Sequence, residues 1–137
     1  MILDTHIWIW VVDGKKGQLS ADAIREIEAS SQRGEVLVSA ISVWEVATLE
    51  VKGRISLSRP VEEWVQLALR APGTRLVGLT PEIAIESTRL PDDPHGDPAD
   101  RILMASARVM GVPLASRDER IIRYGEGGNL AVLDARP

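Results

Sequence analysis

Five short apolar segments, separated by stretches carrying helix start and stop signals, constrain this chain more than any other feature. The segments are MILD at 1–4, EVLVS at 35–39, TRLVGL at 74–79, VPLAS at 112–116 and LAVLD at 130–134. Each has strand length, and most are apolar on both faces, as expected of strands covered from two sides. Between them, SADAIREIEASSQRG opens with Ser20 as a helix N-cap, spaces Ile24 and Ile27 on one face and stops at Gly34. AISVWEVATLEVKG closes at Gly53, and RPVEEWVQLALRAPG has Pro60 early and Gly73 late. TPEIAIESTRL begins with Thr80 as cap and Pro81 at the first helical position, and DPADRILMASARVMG repeats the device with Asp97 and Pro98 before ending at Gly111. RDERIIRYG is a further short helix, and LPDDPHGD, dense in Pro, Gly and Asp, is a loop. Strands alternating with helices predict an α/β fold, a three-layer α/β/α sandwich around a mostly parallel sheet. At 137 residues the chain is expected to form a single domain over 1–137.

Composition removes several classes of function. There is no cysteine, which excludes disulfides, thiolate zinc sites and a cysteine nucleophile, and is compatible with a reducing cytoplasm. The apolar start has no basic leader and carries Asp4 inside it, so neither a signal peptide nor a membrane span is expected. A formal net charge of -4 argues against nucleic-acid binding through overall charge. Arg101, Arg108, Arg117, Arg120 and Arg123 nevertheless gather in the last third, beside several aspartates.

The carboxylates carry the functional signal. In a parallel sheet, loops leaving the C-terminal ends of strands share one edge, and sites sit in the crevice there. Asp4 ends the first strand, Asp118 follows VPLAS, Asp97 and Asp100 open a helix after a loop, and Glu45 lies on the helix after EVLVS. Glu45 is the sole charged residue between Ala40 and Leu49, in line with Ile41 and Leu49, while Asp100 shares a stripe with Leu103, Met104 and Ala107. Burying unpaired acids costs several kcal/mol each by order of magnitude, and clustering them adds repulsion, so a cation should compensate. Oxygen-only ligation suits a hard divalent ion, Mg²⁺ with Mn²⁺ as a substitute. Such an ion lowers the pKa of water and neutralises charge on a phosphate, the chemistry of phosphodiester hydrolysis.

With LDTHIWIW, SAISVWEVATLEVKGRI, HGDPADRILMASA and PLASRDERI in this order, the chain resembles PIN-domain proteins, specifically VapC-type toxin ribonucleases of toxin-antitoxin pairs. The resemblance spans nearly the whole chain. It implies that Asp4, Glu45, Asp100 and Asp118 are the catalytic, metal-holding acids, with Asp97 one turn earlier as a further ligand or merely a helix cap. Thr5 and Ser116 match hydroxyl positions beside the acids. It further implies an RNA substrate, a VapB-type antitoxin that blocks the site, and a homodimer, with no membrane. Two departures stand out: only three residues precede Asp4, so the first strand should be short, and Ala99 replaces a larger apolar residue. Neither touches an acid.

Simpler structural roles exist for these residues. Asp97, Asp100 and Asp118 suit helix starts as caps or dipole partners, whereas a lone Glu45 in an apolar helix has no comparable role. His95 reads as a loop-shaping hydrogen bonder and His6 as a helix start. Trp8, Trp10, Trp44 and Trp64 read as core or interface rather than base-stacking surfaces. Arg101 and Arg117, each adjacent to a proposed site acid, are the expected phosphate contacts. Two other classes compete: a phosphotransfer domain with Asp4 as nucleophile, and a catalytically silent binding module. The first wants a second acid two residues after Asp4 and a positioned lysine, but Thr5 and His6 follow instead. The second has no use for converging carboxylates.

Overall fold

The computed structural model describes residues 1–94 and 96–137, so the loop role expected of His95 lies outside the described residues. The strands are β1 (Ile2–Leu3), β2 (Val36–Ser39), β3 (Thr74–Val77), β4 (Leu114–Ser116) and β5 (Val132–Asp134). They form one sheet in the order β3-β2-β1-β4-β5, and every pairing is parallel. Ile2 stands opposite Leu37 on one side and Leu114 on the other, and Leu3 opposite Ala115. The chain therefore winds one way through β2 and β3, then returns to build β4 and β5 on the far side of β1. The reversal falls between β1 and β4, which opens a crevice at their C-terminal ends.

The helices are α1 (Thr5–Val12), α2 (Ala21–Gln32), α3 (Ala40–Val51), α4 (Val61–Leu69), α5 (Pro81–Thr88), α6 (Pro98–Met110) and α7 (Glu119–Glu126). The expected caps are present: Ser20 accepts from the Ala23 amide, Thr80 from Ile83, and Asp97 from Asp100 at 3.0 Å. Gly111 ends α6 at φ 66°, a left-handed turn that favours glycine.

Strand alternation divides the core into two layers. Leu3, Val36, Val38 and Ala115 point to one face, where they pack with Ile7, Trp8, Ile27, Val46 and Trp64 from α1 to α4. Ile2, Leu37, Leu114 and Val77 point to the other, against Ile83, Leu103, Met104 and Ile121 from α5 to α7. This is the three-layer arrangement expected from the segment pattern. Trp8 and Trp64 fill the first layer edge to face, ring centres 5.1 Å apart, and Trp64 donates its indole N–H to Asp13 at 3.1 Å. The other two tryptophans are less enclosed, though Trp10 still packs against this layer. Trp44 is 59% exposed on α3, and Trp10 is only half-buried, at the rim of the crevice described below. Among the described residues no helix is long and apolar enough to cross a membrane.

Candidate active site

Asp4 leaves β1 at the centre of the sheet and caps α1, taking the Thr5 amide on Oδ1 at 2.7 Å. Its other oxygen, Oδ2, accepts the Ser116 hydroxyl at 2.6 Å from the end of β4. The Ser116 oxygen in turn accepts the Asp118 amide at 3.0 Å, so one hydroxyl ties Asp4 to the turn that carries Asp118. Burial pushes the Asp4 carboxyl up to about 6 against the restraint of Ser116, and the Asp100 charge adds to the rise.

Glu45 projects from α3 towards the same edge. Oε1 accepts the Thr5 hydroxyl at 2.5 Å, and Thr5 Oγ1 lies 2.9 Å from Ser42 Oγ. Thr5 and Ser42 are buried, so the pair forms an internal polar link between α1 and α3 that ends on a carboxylate. Burial pushes Glu45 up to about 7; Thr5 opposes the rise, and the charges of Asp4, Asp100 and Asp97 reinforce it. Ser42 escaped the sequence reading, although a hydroxyl three residues before Glu45 on the same helix face was the available signal.

Asp97 and Asp100 reach the edge from the cap and first turn of α6, and Asp118 from the cap of α7, where it accepts the Arg120 amide at 2.7 Å. Burial would raise the Asp118 carboxyl, but the backbone and side-chain hydrogen bonds of Arg120 outweigh it and hold it below the usual range. The capping roles of Asp97 and Asp118 are thus real, and they coexist with a shared location. Asp4, Glu45, Asp97, Asp100 and Asp118 all line one cavity of about 580 Å³. A concavity of similar size, about 550 Å³, lies at the opposite sheet edge near Gly111 and Ala131, and among the described residues no carboxylate lines it.

The cavity's cations differ in part from expectation. Arg117 lines it, with its guanidinium donating to Gln18 at 2.9 Å and lying over the Trp10 ring, 5.0 Å from the centre. Arg120 lines it too, 3.5 Å from Asp118 Oδ2. Arg101 does not. Its side chain turns back to the Ser87 carbonyl at 2.8 Å, the Pro94 carbonyl at 2.8 Å and Asp93 at 3.1 Å. Adjacency to Asp100 misled because consecutive helical residues face about 100° apart. Arg120 could have been found from its place two residues after a capping aspartate.

The donor set fits a hard divalent cation in kind: oxygen ligands only, two of them, Asp4 and Glu45, desolvated carboxyls made reluctant to ionise by burial and by neighbouring acids. Among the described residues no three acid or imidazole groups close into a tight cage. A wide acidic cavity matches an ion that keeps several waters and uses few protein ligands directly.

An all-parallel sheet with acids converging at its reversal point defines an α/β domain whose crevice is an acidic site. The PIN domain family profile matches residues 1–127, and the chain belongs to the PIN-domain family. It is similar to Ribonuclease VapC22 of Mycobacterium tuberculosis, 37% identical over 121 residues and covering 88% of each chain. Its fold is similar to that in the crystal structure of VapBC2 from Rickettsia felis bound to a promoter DNA fragment, with TM-score 0.67 and 12% identity, over 98% of this chain and 97% of that one. The DNA-bound VapBC of Salmonella typhimurium gives TM-score 0.65 at 15% identity, over 96% and 95%. FitAcB of Neisseria gonorrhoeae gives 0.61 at 18%, again over 96% and 95%.

Proposed function

We propose that this chain is a VapC-type endoribonuclease, the toxin of a toxin-antitoxin pair, hydrolysing RNA phosphodiester bonds in the acidic cavity. The observation that carries the reading is the meeting of five carboxylates from four chain segments around one crevice. The likeness to Ribonuclease VapC22 supports the activity. We read 1–137 as one PIN domain, because β5 lies beyond the profile match and still pairs with β4 in the same sheet.

Asp4, Glu45 and Asp100 would hold Mg²⁺, or Mn²⁺ in its place, with Asp97 and Asp118 at the margin. When bound, the ion supplies a counter-charge for the phosphate and a lowered pKa for water. The protein's own part is positioning. Thr5 and Ser116 fix one oxygen each of Glu45 and Asp4, so the carboxylates do not rotate as RNA enters. Arg117 and Arg120 offer the cavity's cations to phosphate oxygens. Burial and the neighbouring acids hold Glu45 high without an ion, so a cation bound there would favour its ionised form. The phosphotransfer alternative wants a lysine in the cavity, and among the described residues none lines it.

The likeness in fold to the VapBC complexes supports a VapB-type antitoxin as partner. Trp44 and Val51 on α3 and Leu67 on α4 expose apolar area that such a partner, or a second copy in a homodimer, would cover. We place the enzyme in the cytoplasm, where its substrate resides. The test is cleavage of a mixed RNA pool by the purified chain with Mg²⁺ or Mn²⁺, beside EDTA and Asp4→Ala. Metal-dependent cutting that disappears in the variant is expected; equal cutting by the variant would overturn the assignment.

A further inference from the structure

We propose that Trp10, with Arg117 laid over it and His6 beside it, is a stacking platform for an unpaired nucleobase next to the scissile phosphate. This rests on the ribonuclease reading and extends it to the substrate's form. Within α1 the side chains of Thr5, Ile7, Trp8 and Ile9 are buried, but His6 is exposed and Trp10 half-exposed. Four residues apart, His6 and Trp10 share a helix face, with ring centres 5.6 Å apart and planes inclined at 47°. Both line the same cavity as the five acids.

A tryptophan with one side on the core and the other beside a catalytic crevice is an unusual use of a large apolar ring. Arg117 makes a structural purpose alone less adequate. Its guanidinium lies over the Trp10 ring and is steadied by Gln18, which stacks a cationic plane on the aromatic face at the cavity wall. Bases stack on aromatic rings and on arginine planes, and RNA bases become available for this where the strand is unpaired. Asp4 caps the helix that carries Trp10, so the platform stands six residues, about 9 Å along the axis, from the central acid. That is within reach of a nucleotide whose phosphate lies at the acids. The platform offers π-faces rather than base-edge readout, so it selects unpaired RNA over duplex and tolerates any base there.

The experiment uses the full chain with Mg²⁺ and a short single-stranded oligoribonucleotide that the wild type cuts at one position. Abasic residues are placed in turn at the nucleotides flanking the cut. Trp10→Ala is expected to lower kcat/KM about ten-fold or more, chiefly through KM, with Trp10→Phe keeping most of the wild-type value. One abasic position should penalise the wild type and add nothing to the loss in Trp10→Ala. Ile85→Ala, exposed on α5 and outside the cavity, serves as the control. Because Trp10 also packs on the core, Arg117→Ala repeats the abasic comparison should Trp10→Ala fail to fold. An abasic penalty that persists undiminished in these variants, or an unchanged KM, overturns the platform while leaving the ribonuclease intact. A wild type that cuts no RNA with any metal overturns both.

Discussion

Ser116 Oγ lies 2.6 Å from Asp4 Oδ2, a hydroxyl at the last residue of β4 donating to the carboxylate that follows β1. These strands are neighbours in the sheet yet lie at opposite ends of the sequence. The bond stabilises the ionised carboxylate, and the same oxygen takes the Asp118 amide. Ser116→Ala removes both. The Asp4 carboxyl, already high, should rise further, so divalent-ion affinity and cleavage at neutral pH should fall by about 10- to 100-fold. The acid limb of the rate profile should move to higher pH. Cleavage rates from pH 5 to 8.5 at several Mg²⁺ concentrations check this, and an unmoved limb would count against the role given to Ser116.

Stability without divalent ions should fall as pH rises. Burial lifts Asp4 to about 6 and Glu45 to about 7, each above its value in the unfolded chain. The folded state therefore binds more protons, and the stability this confers is complete below about pH 4 and lost as pH climbs through 6 to 7. For Asp4 the loss is about 3 kcal/mol. Asp118, held low, acts in the opposite sense and at lower pH. Thermal melts in EDTA should show a higher Tm at pH 5 than at pH 7.5, with Mg²⁺ restoring more at pH 7.5. Asp4→Asn should flatten the dependence; a steeper one would refute it.

Glu45→Gln separates charge from shape. The amide keeps an oxygen for the Thr5 hydroxyl and removes the repulsion from Asp4, Asp100 and Asp97. Cleavage should drop by about 100-fold or more while Tm in EDTA at pH 7.5 stays level or rises. Thr5→Val should do the reverse in stability, because it strips the buried partner from both Glu45 and Ser42. About 1–3 kcal/mol is expected from denaturant titration.

Arg101 ties the loop ahead of Asp97 to the end of α5 through two carbonyls and Asp93. Its loss should loosen that loop, and with it the start of α6. Limited proteolysis of Arg101→Ala should cut within 91–97 sooner than in the wild type. Arg101→Lys should rescue little, since an ammonium on a flexible stem does not reproduce the guanidinium fork. Protection equal to the wild type would show that Tyr124, which donates to the Pro91 carbonyl at 2.7 Å, suffices to hold the loop.

The architecture was legible because strand, cap and stop signals agreed at each boundary. Ser20, Thr80 and Asp97 cap the helices they were expected to cap, and Gly111 takes the left-handed turn at the end of α6. The convergence of Asp4, Asp97, Asp100 and Asp118 on one cavity was legible because each sits beside a strand end or helix start, positions that the parallel topology sends to one edge, while Glu45, in mid-helix, stood out as the lone charge in an apolar stretch. What escaped was orientation. Arg101 and Arg117 look alike in sequence, each adjacent to an aspartate, yet one is consumed by a loop and the other lies over Trp10. Trp8 and Trp10 likewise share one apolar run, but two residues on a helix point to different surroundings, and no periodicity says that one of them will meet a cavity.

The placement of β1 between β2 and β4 also sets when such a molecule can become dangerous. Loop closure over most of the chain must precede the pairing of Leu3 with Ala115, so this contact belongs to the slow, long-range class. A nascent chain that has emerged only as far as α6 already carries Asp4, Glu45 and Asp100, but it lacks the strand that shapes their crevice and the hydroxyl that orients Asp4. The crevice is therefore completed only when residues 114–118 join the sheet, so the site forms with the fold and not ahead of it.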